Sequence, residues 1–216
     1  MDWKEELKGE LPILDMPVDY KREAKRENKG DVIQQRIDGD LVFKIKEIAL
    51  EYDTTPFVIS LSAFYIFLSK YSRQKDLIVG VPTVGRPYNE LEQTMGMFVE
   101  TLPIRVQLEK GISARGFINI VKNKIANALN NQKYPLEYMI KECNIERLEG
   151  HNALFDVMFS LWEQPVGSCR IGKDEWEVVD LPSQNAKYDI SFDLSLDEDP
   201  FFIVEYMSDI FSKETI

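Results

Sequence analysis

The run from Phe57 to Leu68 constrains this chain more than any other segment. It is apolar nearly all round, broken only by Ser60 and Ser62. Thr54 or Thr55 can cap it, and Pro56 suits the first helical position, so it reads as a helix. A helix without a polar stripe must be buried on most sides. Crossing a bilayer takes about 20 apolar residues, more than this run supplies. Other elements must therefore pack around it inside a water-borne core, and no membrane partner is expected.

Those elements are legible in outline. Asp31 to Ile37 can form a strand. Asp40 can cap a helix with Leu41, Val42, Ile45, Ile48, Ala49 and Tyr52 on one face. Asp76 to Thr83 reads as a buried strand, ended by turn chemistry at Gly85-Arg86-Pro87. Phe98 to Leu108 reads as another. Ser113 can cap a long helix carrying Phe117, Val121, Ile125, Ala128 and Leu129, and Tyr134 to Cys143 makes a shorter one. Leu154 to Trp162, Trp176 to Leu181, Asp189 to Leu196 and Phe201 to Tyr206 read as strands, and Ser208 or Asp209 opens a last helix. This order fits helices on a mixed sheet, an α/β architecture. Residues 1–29 read as a connector, with a helical turn from Trp3 to Leu7, breakers at Gly9, Pro12 and Pro17, and a polar run from Lys21 to Lys29.

Composition narrows the chemistry. With 26 basic against 37 acidic residues the net charge is -11, and a phosphate-tracking surface needs clustered Lys and Arg. No nucleic-acid partner is expected. Lys21-Arg22 and Lys25-Arg26 are interleaved with acids and read as a solvated linker. Cys143 and Cys169 form no Cys-x-x-Cys pair, and the single histidine, His151, cannot complete a zinc site. No metal is expected. Two idle thiols and a charged start without a signal-peptide core fit a reducing cytoplasm. His151 lies in a loop with no evident partner and reads as a surface residue. Gly-rich phosphate loops, Gly-x-Ser-x-Gly elbows and dinucleotide fingerprints are missing from the sequence.

Three runs stand out. Met95-Gly96-Met97-Phe98-Val99-Glu100-Thr101-Leu102-Pro103-Ile104-Arg105 is a glycine turn feeding a strand. Gln132 to Glu137 places Pro135 at a helix start and Glu137 in its first turn, where a carboxylate meets the positive end of the helix dipole. Arg147 to Phe155 runs into a core strand. Each is ordinary structural chemistry when taken alone.

Together, and in this order, they resemble late motifs of the condensation domains of nonribosomal peptide synthetases. The first run matches Gly-x-Phe-Val-Asn-Thr with its later Arg, except that Glu100 replaces Asn. An ionised carboxylate only accepts hydrogen bonds, so a donor role there is lost. The second matches Gln-x-x-Pro-Phe-Glu with Leu136 for Phe. The third keeps Arg147, Leu154 and Phe155 but has Gly150 and Ala153 in place of Ser and Pro. Leu11-Pro12, Leu14-Asp15 and Pro17 resemble the family's inter-subdomain linker. Gly80-Val81-Pro82 with Gly85-Arg86, Lys187-Tyr188-Asp189, and Glu205-Tyr206 through Phe211 extend the likeness along the chain.

The resemblance implies a half-domain like chloramphenicol acetyltransferase, with residues 1–29 as linker and 30–216 as the carboxy-terminal subdomain. The family joins thioesters tethered to phosphopantetheine arms, using a His-His-x-x-x-Asp-Gly motif that this sequence lacks. The expectation is a catalytically incomplete half that directly binds no cofactor. Its implied partners are the amino-terminal half, peptidyl carrier domains and an adjacent adenylation domain, with self-association of the fragment. A carrier-binding module without catalysis and half of an epimerization domain are the alternative readings. Thr83, Glu100, Ser160 and Trp162 are tunnel-side candidates, because their strands should border the groove. Gly96, Phe98, Thr101, Arg105, Gln132, Pro135, Glu137, Arg147 and Asp189 are family positions read as structural, and no residue is assigned a catalytic role.

Overall fold

A computed structural model describes residues 3–24, 27–86, 88–145, 148–162, 168–171, 173–177 and 184–216, with the side chains of 168–171 and 174–177 excepted. A short helix α1 (Trp3–Glu6) precedes β1 (Gly30–Arg36), α2 (Gly39–Glu51), α3 (Pro56–Ser72) and β2 (Asp76–Thr83). Then come β3 (Glu100–Gln107), α4 (Ala114–Asn130), α5 (Leu136–Glu142) and β4 (Val157–Trp162). A ribbon of β5 (Ser168–Ile171) and β6 (Asp174–Glu177) leads to β7 (Ile190–Ser195) and β8 (Phe201–Met207). The main sheet has six strands in the order β1-β8-β7-β4-β2-β3. β4 runs parallel to both β2 and β7, and the other pairs are antiparallel. The expected mixed sheet with flanking helices is what the chain forms.

Helix α3 is the centre of the core. Thr55 accepts from the Val58 N–H at its start, and Pro56 occupies the first turn. Leu61, Tyr65 and Leu68 are fully buried. Phe64 packs on Phe159 of β4 at 5.2 Å and Phe192 of β7 at 5.3 Å between ring centroids. Phe192 stacks in turn on Phe202 of β8 at 5.3 Å. One helical side chain thus holds an aromatic row that spans three strands. The Tyr65 hydroxyl donates to the Ile104 carbonyl of β3 at 2.6 Å. Burial drives its pKa well above the ordinary phenol value.

Several boundaries differ from expectation. Asp38, not Asp40, caps α2: its backbone is extended, and its carboxylate accepts from the Asp40 N–H at 2.9 Å. The fourth strand begins at Val157, because Leu154 and Phe155 are buried in the preceding loop. The third begins at Glu100. Trp176 lies in β6, and residues 178–181 of that expected strand lie outside the described residues. No helix follows β8. There Ser208 N donates to the Lys29 carbonyl and Ser212 N to Asp19, so backbone donors go to tertiary partners instead of a helical ladder.

The first residues are not a solvated tether. Trp3, Leu7, Leu14 and Met16 are buried. Arg105 of β3 pairs with Asp76 through bonds of 3.0 and 2.7 Å and also donates to the Lys8 and Glu10 carbonyls. This stitches the leading segment onto the sheet face opposite α3. Although burial opposes it, hydrogen bonds from Arg105 and Gln107 hold the Asp76 carboxyl below its ordinary value.

Phe64→Ala should cost about 3–5 kcal/mol in equilibrium urea unfolding, the range for deleting a core phenylalanine. A loss under about 1 kcal/mol would show that the aromatic row does not hold the core.

Candidate functional site

The two polar regions of interest lie on opposite faces of the sheet. Residues directly paired across strands share a face. Thr83 pairs with Glu100 and lies on the α3 side. Ser160 pairs with Asp193, and Trp162 with Ser195, on the other side. The four tunnel candidates therefore do not converge on one point.

On the α3 side, the ends of β2 and β3 open into a cleft of about 930 Å³. Val58, Leu102, Ile125 and Leu129 line it, with Thr83, Arg86, Lys122 and Gln132 adding polar groups. The Thr83 hydroxyl is buried and has no hydrogen-bond partner. Beyond it, Gly85 has a φ of +65°, and a Cβ there would lie 1.6 Å from the Phe98 carbonyl oxygen. Only glycine fits. Arg86 lies 4.2 Å over the Phe98 ring and donates to the carbonyls of Leu91, Thr94 and Gly96. Gly96 has a φ of +153°, so it too is set by backbone conformation. The Gly85-Arg86 and Gly96-x-Phe98 motifs are thus two halves of one loop lock. That loop leaves Met95 and Met97 exposed at 97% and 87%.

On the other side, Ser160 Oγ hydrogen-bonds Asp193, and Trp162 Nε1 donates to Ser160 Oγ at 3.0 Å. The Trp162 side chain is exposed. Glu205 sits diagonally from Asp193, because Asp193 pairs with Ile203 and Ser191 with Glu205. Burial raises the Asp193 carboxyl above its ordinary value against the hydrogen bonds from Ser160 and Trp162. Burial, then repulsion from Asp193, raises Glu205. The Ser195 hydroxyl, on a residue only 1% exposed, has no partner.

A third network is structural. Arg22 makes a forked ion pair with Asp189 through bonds of 3.0 and 2.5 Å and donates to the Gly150 carbonyl at 2.9 Å. Its side chain is largely buried, which corrects the solvated-linker reading for this residue; Lys25 and Arg26 lie outside the described residues. His151 is not a bare surface residue either. Its Nδ1 lies 2.6 Å from the buried Asp156 carboxylate, which also accepts from the Asn152 N–H. Arg22 and Asp189 lie 167 positions apart and meet only in the completed sheet, whereas the His151–Asp156 contact depends on the fold of its loop.

The other family positions take ordinary places. Thr101 pairs with Pro82. Pro135 caps α5, and Glu137 lies exposed in its first turn. Arg147 lies outside the described residues, as does the side chain of Cys169, while Cys143 is half-buried at the end of α5. Among the described residues, no group of three or more His, Cys, Asp or Glu side chains could hold a metal ion. No described helix is long and apolar enough to cross a membrane. Sequence reading gave Asp193, Ser195 and Glu205 no site role. The signal for them was the alternation Ser191-Phe192-Asp193-Leu194-Ser195, and a lone acid inside the apolar run Phe201 to Met207.

Comparison with known proteins gives a consistent result. A family model described as condensation domain matches residues 3–216. Surfactin synthase subunit 2 of Bacillus subtilis (strain 168) is 35% identical over 99% of the chain, which spans 6% of that relative's length. The crystal structure of a four-domain nonribosomal peptide synthetase superposes with a TM-score of 0.90 at 23% identity, over 99% of this chain and 17% of that one. The epimerization domain from the third module of tyrocidine synthetase B superposes at 0.69 with 14% identity, over 99% of this chain and 50% of that one.

Two stability measurements test this geometry. Asp189→Asn strands Arg22 in a largely buried site, so it should cost about 3 kcal/mol in urea unfolding; a neutral result would remove the ion pair as a fastener. Asp193 behaves oppositely. Its raised pKa means that the folded chain takes up a proton more readily than the unfolded one, so stability falls as pH rises from the ordinary carboxyl value through the raised one. Asp193→Asn should therefore raise the urea midpoint at neutral pH, with the gain shrinking in acid. An equal midpoint at neutral pH would contradict the burial of that charge.

Proposed function

The chain belongs to the condensation domain family, and on that premise we propose that it is the carboxy-terminal half of such a domain in a nonribosomal peptide synthetase. The observation that carries this is the open sheet face. A fully formed six-stranded sheet leaves Ser160, Trp162, Asp193 and Glu205 only partly covered, beside a loop that exposes Met95 and Met97. Exposed apolar side chains such as Trp162, Met95 and Met97 at the margin of a half-buried polar face suit a surface that a partner covers. In this reading the amino-terminal half covers that face and brings the His-His-x-x-x-Asp-Gly motif to it. Residues 1–29 join the two halves.

The reaction is aminolysis of a thioester. The acceptor amine attacks the donor carbonyl, a C–N bond forms, the C–S bond breaks, the thiol leaves and the amine loses a proton. Phosphopantetheine arms of peptidyl carrier domains deliver both reactants, and an adjacent adenylation domain loads them. No redox step is involved, and tethering supplies much of the acceleration by holding the reactants together. A cytoplasmic setting and self-association of the isolated half belong to the same proposal. Thr83 and Glu100 line the approach on the α3 side, and Ser160 and Trp162 line it on the open face. The Phe98-Val99-x-Thr101 pattern favours amide formation over epimerization.

The isolated chain should make no amide from loaded donor and acceptor carriers, and adding the amino-terminal half should restore product by mass spectrometry. Turnover by the chain alone, well above a protein-free control, would overturn the reading. In the joined domain, Glu100→Gln should change turnover while the melting temperature stays put. Unchanged turnover would remove Glu100 from the approach.

A further inference from the structure

We infer that the cleft on the α3 side, at the ends of β2 and β3, binds a small neutral aliphatic amide. The cleft lies across the sheet from the face assigned to the amino-terminal half, so the inference goes beyond the condensation-domain reading and does not depend on it. Its volume of about 930 Å³ falls within the range of small-molecule sites, about 300–1,000 Å³. Its walls are aliphatic, with Val58, Val81, Leu102, Ile125, Leu129 and Leu161 prominent. These residues come from α3, β2, β3, α4 and β4. The packed core itself therefore shapes the cleft.

One polar group in this apolar lining is unsatisfied. Thr83 pairs with Glu100, and its place on β2 puts its side chain on the α3 face. Its hydroxyl oxygen is buried and has no hydrogen-bond partner. A buried hydroxyl left alone costs stability that a ligand carbonyl would recover. The charges on the walls select against ions. Lys122 is already engaged with the carbonyl and carboxylate of Asp53, and Arg86 with three carbonyls of its loop. These two cations disfavour an ammonium group, and the Glu100 carboxylate beside Thr83 disfavours an anion. What suits the cleft is an aliphatic chain with a neutral polar head. An amide carbonyl can accept from the Thr83 O–H, and Gln132, which also lines the cleft, offers a second neutral donor and acceptor for the amide N–H and carbonyl.

The test is direct binding to the full chain, read by NMR from the Ile125 methyl groups, which Ile125→Val identifies. Hexanamide, hexanoate and hexylammonium are titrated near neutral pH; they share one chain length and differ in the charge of the head group. A saturable shift is expected with hexanamide, with both ions binding at least about five-fold more weakly. Thr83→Val keeps the shape of the side chain and removes the hydroxyl. It should weaken hexanamide binding about five-fold, as expected for losing one neutral hydrogen bond. Ala126 lines the cleft from an exposed position on α4, so Ala126→Trp should fill the space and abolish the shift. Circular dichroism checks both folds, and Ala126→Trp decides alone if Thr83→Val does not fold. The inference is overturned if hexanamide gives no saturable shift, if either ion binds as tightly, or if a folded variant binds hexanamide unchanged. No amide is formed in this assay, so its failure leaves the condensation-domain reading standing. Failure of amide formation in the joined domain would likewise leave a measured cleft site standing.

Discussion

Phe64 is the contact on which the rest of this structure depends. It stands on α3 and meets Phe159 and Phe192, and Phe192 passes the contact on to Phe202. That row fixes the relative height of β4, β7 and β8 under one helix. Because β-strand side chains alternate, fixing the inward residues also fixes the outward ones. Phe159 and Leu161 inward put Ser160 and Trp162 outward; Phe192 and Leu194 inward put Asp193 and Ser195 outward. The polar face is a consequence of how the aromatic face packs. A one-residue slip in β7 would exchange Asp193 for a phenylalanine.

Two devices then finish the edges of the sheet. At one end, Gly85 admits the Phe98 carbonyl, and Arg86 stacks on the Phe98 ring, which fixes the loop from β2 to β3. On the outward face, Arg105 and Arg22 bind the leading segment, one through Asp76 and the other through Asp189. Part of the outward face is covered in this way by the chain's own first residues. The part bearing Asp193 and Glu205 is only half-covered. Coverage is therefore selective, and what stays open is polar and carries unbalanced negative charge.

Much of this was legible in the sequence wherever the signal was local. The period of α4, a cap at Thr54 or Thr55, the strand from Asp76 to Thr83 and the family's motif order all follow from neighbouring residues. The cap at Asp38 was missed because Asp40 has the same chemistry two positions later, and backbone conformation alone decides between them. The arginine pairs were missed because Arg22 and Asp189 are brought together only by the completed sheet. The expected last helix failed because tertiary acceptors outcompeted a helical ladder for the same N–H groups. For the candidate site the limit was direction: the strands bearing Thr83, Glu100, Ser160 and Trp162 were found, but not that these residues divide between two faces.

The central claim is that the open sheet face is the surface that the amino-terminal half covers. Hydrogen exchange measured on this chain, alone and joined to that half, tests it most directly. The account predicts added protection at residues 158–162 of β4, along β7 and β8 from 191 to 205, and in the loop from 84 to 99. Protection confined to the exposed side of α2, or no protection on mixing, would contradict it.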